Sequence, residues 1–177
     1  MAHREQQIYC KSILSRHPEY FTKKKVLDAG ALDINGNNRY LFTDCDYTGI
    51  DIGAGKNVDI VSTIHEFDAA DESYDTIIST ECFEHDMHYE KSLKNIVRML
   101  KTGGMFIFTC ATTGRAEHGT RRTSPSDAPL LPDDSWSDYY KNLTESDIIN
   151  VLDVDSIFSE YSFTVVRYDL QFYGIKK

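Results

Sequence analysis

The 177-residue sequence has no apolar run long enough to span a bilayer, no internal repeat and no low-complexity tract. These absences argue against a membrane-embedded chain and against repeat or linker architectures. Met1 to Glu5 lead straight into polar sequence, without the apolar core of a signal peptide. The four cysteines (Cys10, Cys45, Cys82, Cys110) are scattered, with neither metal-ligand nor disulfide-framework spacing. No metal site is expected from them, and a reducing cytoplasm suits them best. Basic residues are also few: 19 Lys and Arg stand against 28 Asp and Glu, a net charge of −9. That balance disfavours broad nucleic-acid or acidic-membrane binding, which needs clustered cations.

What is present reads as one domain, residues 1–177, long enough to bury a three-layer core. Arg4 to Arg16 has few helix breakers and predicts a helix stopped by His17-Pro18. Lys25 to Asp28, ending in Gly30, reads as a buried strand; Asn35 to Asn38 is turn chemistry before a short helical piece over Arg39 to Phe42. Tyr47 to Asp51, Val58 to Val61 and Tyr74 to Ser79 read as further strands. Leu93, Ile96, Val97 and Leu100 share one face of a helix over Tyr89 to Lys101, expected to close at Gly103-Gly104. Met105 to Cys110 is almost wholly apolar, as in a strand covered on both faces. Thr144 is an N-cap candidate, and Phe163 to Arg167 and Gln171 to Ile175 are strand-like. Strands alternating with helices predict a doubly wound α/β sheet. Residues 112–143, rich in Ser, Asp and Pro, lack periodicity and are expected to form a long loop over the ligand-binding edge of that sheet.

The first loop discriminates between cofactors. A dinucleotide fingerprint counted from Gly30 requires glycine at 32 and 35, where Leu32 and Asn35 stand. Leu32 obstructs the backbone approach a pyrophosphate needs, and Asp28 faces it with like charge. S-adenosylmethionine has no phosphate, and its amino group is cationic, so the same carboxylate attracts it. Asp51 ends the second strand, where it can accept from ribose hydroxyls.

The segment Val26-Leu27-Asp28-Ala29-Gly30-Ala31-Leu32-Asp33-Ile34-Asn35-Gly36 resembles the first motif of class I, type-11-like S-adenosylmethionine methyltransferases. Tyr47 to Asp51 is similar to the family's ribose-binding motif, Tyr74 to His85 to its fourth-strand motif, and Leu100 to Gly104 to the turn before its fifth strand. The resemblance spans about Val26 to Cys110 and continues through Arg115 to Thr120 and Tyr139 to Thr144. It implies a Rossmann-like, mostly parallel seven-stranded sheet in an α/β/α sandwich, with an antiparallel last strand. It further implies that Gly30 and Ala31 offer backbone to the methionine moiety beside Asp28, and that Asp51 takes the ribose. Ile52 would pack on adenine, Thr63 and Ile64 lie by its edge, and Ser79 and Thr80 run under the methionine end. An acid is common in the family where Thr63 stands. S-adenosylhomocysteine would be the product.

Chemistry is harder to place, because a sulfonium is already an activated methyl donor and the protein mainly aligns the nucleophile. His85, at the cofactor edge, is either a base or a packing residue; Glu117 and His118, in the long loop, are placed to meet a substrate. Arg115, Arg121 and Arg122 surround the single acid Glu117 in that loop, a patch suited to a phosphate or carboxylate. Trp136, Tyr139 and Tyr140 are candidate pocket walls. The sequence lacks the Asp/Asn-Pro-Pro-aromatic tetrad of nucleic-acid amino-methyltransferases, having Ser79-Thr80-Glu81-Cys82 instead. A small-molecule or sugar-type acceptor, such as a glycan precursor, is expected. The alternatives are a non-catalytic cofactor-binding protein and an NAD-dependent oxidoreductase.

Overall fold

The structure, a computed structural model, describes residues 3–132 and 135–177. Its centre is a seven-stranded sheet of β1 (Lys25–Ala29), β2 (Asp46–Asp51), β3 (Ile60–Val61), β4 (Tyr74–Thr80), β5 (Leu100–Ala111), β6 (Phe158–Val166) and β7 (Asp169–Lys176). The strand order is β3-β2-β1-β4-β5-β7-β6, and β7 runs antiparallel to both neighbours. This is the Rossmann-like α/β arrangement expected, with a mixed sheet.

Alternation along the strands builds two cores. On one face Val26, Ile78, Met105 and Ile107 meet Tyr9, Cys10 and Ile13 of helix α1 (Arg4–Arg16). On the other, Leu27, Ile77, Phe106 and Phe108 meet Leu93, Ile96 and Met99 of α2 (Tyr89–Met99). Ile148 of α3 (Glu145–Ile149) and Val154 of α4 (Val154–Ile157) extend that second layer. Each fully buried Phe, Leu or Ile contributes roughly 1.5–3 kcal/mol of transfer free energy, so both faces must stay covered.

Two local expectations shift. Helix α2 ends at Met99 rather than at the glycine pair, because Leu100 turns extended (φ −74, ψ 130) to pair with Tyr74. Gly103, at φ +73, then lies inside the long β5, where the register with β4 slips. The crossovers after β1 and β2 carry few helical residues: a 3-10 turn at Arg39–Leu41 serves the first, and among the described residues none serves the second. Both connections therefore remain loops at the sheet edge, free to line a cleft.

Candidate functional site

The strand order reverses between β1 and β4, and a cleft of about 910 Å³, counted out to open solvent, opens there at the C-terminal strand ends. Ligands of open α/β sheets bind at such a switch point.

Gly30 follows β1 at φ +83, and a Cβ there would collide with the Cys82 side chain, so both backbone and space require glycine. The N–H groups of Gly30 and Ala31 both donate to Ile50 O, at 2.9 Å each, and Asn57 Nδ2 donates to Ala31 O at 2.9 Å. The loop is thus tied to β2 before any ligand arrives. Leu32 N donates to Asp51 Oδ2 (2.9 Å) and Ile52 N to Asp51 Oδ1 (2.8 Å), which aims that carboxylate along the loop. Asp28, only 4 % exposed, accepts from Tyr47 Oη (2.7 Å) and Asn57 Nδ2 (3.2 Å). Burial pushes its carboxyl up to about 6, against the pull of those two donors. Burial likewise raises Asp51.

Asp28, Gly30, Ala31, Asp51, Ile52, Thr63, Ile64 and Thr80 all line the cleft. Ser79 does not: it is fully buried, and its hydroxyl donates to Ala29 O at 2.7 Å, stitching β4 to β1. Thr80 Oγ1 accepts from Asn38 Nδ2 (3.1 Å), and Asn38 Oδ1 accepts from Gln6 Nε2 of α1 (3.0 Å). That tether from the first helix had no local sequence signal, because Gln6 and Asn38 meet only through the fold. Thr63 Oγ1 donates to Glu66 Oε2 at 3.0 Å, so an acid stands beside that position although it does not line the cleft.

The long loop supplies the outer wall. Asp127, Ala128, Pro129, Leu130, Leu131 and Trp136 line the cleft, and Leu130 packs over Gly53. Trp136 Nε1 donates to His85 O (2.7 Å), while its ring packs near His65 and His88.

Of the residues expected to do chemistry, His85 reaches the cleft and is 7 % exposed. Burial lowers its pKa to about 3, which leaves a weak base near neutral pH. The His118 ring stands edge-on to it at 5.0 Å, and Tyr140 packs against both imidazoles. Glu117 is held elsewhere: it accepts from Thr120 Oγ1 (2.7 Å) and pairs with Arg122 (2.9 Å), and it does not line the cleft. The basic patch is neutralised by acids distant in sequence. Arg115 faces Asp169 at 3.6 Å, while Arg121 and Arg122 both meet Asp138. Tyr139 caps a 3-10 turn through Trp136 O and lies outside the cleft lining.

Sequence reasoning also missed Glu81. It follows β4 at φ +53, lines the cleft, and is buried against Thr109 Oγ1 (2.8 Å) and His3 Nε2 (3.1 Å). A left-handed non-glycine residue at a strand end stores strain of about 1–3 kcal/mol. His3 in turn contacts Asp169 at 3.3 Å, so the N-cap of α1 joins two buried acids beside the cleft.

The donor set suits S-adenosylmethionine: carboxylates for a cationic end and for hydroxyls, and Ile52, Ile64 and Leu130 for a flat apolar ring. Residues 27–108 match the family model described as a methyltransferase domain. No curated protein sequence matches the chain. Among solved structures, the chain is similar to 1,6-didemethyltoxoflavin-N1-methyltransferase of Burkholderia thailandensis, at 16% identity over 94% of this chain and 76% of that one, with a TM-score of 0.63. A Pyrococcus horikoshii protein gives 15% identity over 98% and 91% with a TM-score of 0.65. Phosphoethanolamine N-methyltransferase 2 of Haemonchus contortus gives 19% over 87% of this chain and 38% of that one, with a TM-score of 0.59. At these identities the likeness is one of fold.

Proposed function

Starting from a chain that carries a methyltransferase domain on the class I methyltransferase fold, we propose that it transfers the methyl group of S-adenosylmethionine to a small-molecule or glycan-precursor acceptor. The observation that carries this reading is the buried Asp28 carboxylate beside Gly30, together with Asp51 on the next strand, in a cleft that Leu32 also lines. When bound, the cofactor supplies a sulfonium methyl group open to attack by a lone pair.

The chain's own residues then bind, orient and exclude water. Asp28 holds the cationic amino end, and Asp51 accepts from the ribose hydroxyls. Ile52, Ile64 and Thr63 line the adenine side, and Thr80 the methionine side. Leu130 and Trp136 cover the cleft, keeping out water that would compete with the acceptor. His85 is the wall where an acceptor meets the methyl group, and His118 and Tyr140, outside the cleft lining, pack behind it. Arg115 and Arg122, already paired with Asp169 and Glu117, serve an acceptor only by exchanging those partners. Two of the similar structures support a small acceptor: the Burkholderia enzyme holds 1,6-didemethyltoxoflavin with S-adenosylhomocysteine, and a Haemonchus enzyme holds phosphomonomethylethanolamine with the same product.

A thermal-shift comparison tests the cofactor. S-adenosylhomocysteine raises the melting temperature and NAD does not; stabilisation by NAD alone overturns the reading. The acceptor is sought by mass spectrometry of cell extract incubated with enzyme and labelled cofactor, as products gaining a methyl group.

A further inference from the structure

Beside the cleft, Glu84, His85 and His118 each place one ligand atom within 4.8 Å of the others. Glu84 is fully buried, and neither of its carboxylate oxygens has a hydrogen-bond partner. Both ring nitrogens of the buried His85 are likewise unpartnered, as is the buried hydroxyl of Tyr140, whose ring packs on His85 and His118. Buried polar groups are nearly always hydrogen-bonded, so this concentration of orphaned atoms calls for an occupant. The backbone is shaped around the same spot. Gly119 stands at φ +70, and a Cβ there would lie 3.0 Å from His85 Nδ1, so glycine lets the His118 loop close on His85.

We propose that Glu84, His85 and His118 form a binding site for a divalent transition-metal ion of the Zn²⁺ class. Two imidazoles and one carboxylate are the ligand set of open N/O sites, whereas Mg²⁺ and Ca²⁺ favour oxygen alone. Three protein ligands leave coordination positions for an outside group. His85 is shared with the cleft wall, so an acceptor carrying an oxygen or nitrogen donor is the group that fits. This last role rests on the methyltransferase reading; the ion site itself does not. Scattered cysteines gave no hint of it, because its ligands come from the turn after β4 and from a distant loop.

The test uses the full chain, stripped with a chelator and dialysed. Titration with Co²⁺, followed by its visible absorption, is expected to saturate at one ion per chain and to reverse on adding Zn²⁺. Glu84→Gln and His118→Ala are each expected to weaken Co²⁺ binding at least about 100-fold. His3→Ala, in the neighbouring His3, Glu81 and Asp169 cluster, is expected to bind as wild type. Circular dichroism and stabilisation by S-adenosylhomocysteine establish that each variant is folded. Should Glu84→Gln fail to fold, His118→Ala, in an outer loop, carries the test. No saturable binding by the wild type, unchanged binding in a folded His118→Ala, or loss only in His3→Ala would each overturn the site. Metal binding without any response to S-adenosylhomocysteine leaves the ion site standing and overturns the cofactor reading instead.

Discussion

At the residue scale, Asp28 carries the most consequence. Its carboxyl sits near 6 because burial outweighs the donors Tyr47 and Asn57. A cationic ligand needs the ionised form, so affinity for S-adenosylhomocysteine is expected to fall as pH drops through about 6 in calorimetric titrations. In Asp28→Asn that pH dependence flattens, and affinity at neutral pH falls roughly 10- to 100-fold, the worth of a charged hydrogen bond. Stability of the unliganded fold moves the other way. A raised acid pKa disfavours the folded state above about 6, and that penalty is relieved as pH falls from there toward the unfolded value of 3.8. Asp28, Gly30 and Asp51 were legible because strand-end position follows from local pattern. Ser79 was not. Its neighbour in sequence, Thr80, faces the cleft, and strand alternation sends Ser79 into the sheet toward Ala29.

Elements were readable in proportion to how local their causes are. Helix α1 runs from Arg4 to Arg16 as its lack of breakers and the following His17-Pro18 imply. Helix α3 begins where Thr144 caps it, and the structure completes a capping box: Thr144 Oγ1 takes the Asp147 N–H while Asp147 Oδ2 takes the Thr144 N–H. Thr144→Ala is expected to cost about 1 kcal/mol in urea unfolding, with S-adenosylhomocysteine affinity unchanged because α3 lies outside the cleft lining. The junction of α2 and β5 was misread for a non-local reason. Gly103-Gly104 is ordinary helix-end chemistry, but pairing of Leu100 with Tyr74 wins the last turn for the sheet. Strand β3 shrinks to Ile60–Val61 because only those residues pair with Ile50 and Asp51 at the sheet edge.

For the whole molecule, the open question was what the segment 112–143 does. Its described residues fold back so that 127–131 and Trp136 wall the cleft, while Arg121 and Arg122 are held by Asp138. Amide hydrogen exchange across residues 119–131 is expected to slow when S-adenosylhomocysteine binds, since the ligand adds a second contact face to a segment held mainly by turn bonds and ion pairs within its own loop. Leu130→Ala is expected to weaken that binding several-fold by opening the wall over Gly53, with little change in melting temperature. Exchange that is indifferent to ligand would show that the wall takes no part in binding.

By itself, the sequence determined the strand ends and the glycine turn at which the cleft opens. Apolar runs place the strands, Gly30 sets the turn, and the acids at positions 28 and 51 set the charge a ligand meets, all within short stretches of chain. Only the tertiary structure decided how the buried acids and the long loop are arranged around the cleft. It joined His3 to Glu81 and Asp169, brought Glu84 and His85 to His118, and set Arg115 against Asp169 and Arg121 and Arg122 against Asp138. The reason is physical: turn and strand preferences act over a few residues, whereas ion pairs and buried clusters depend on which chain segments the packed sheet brings together.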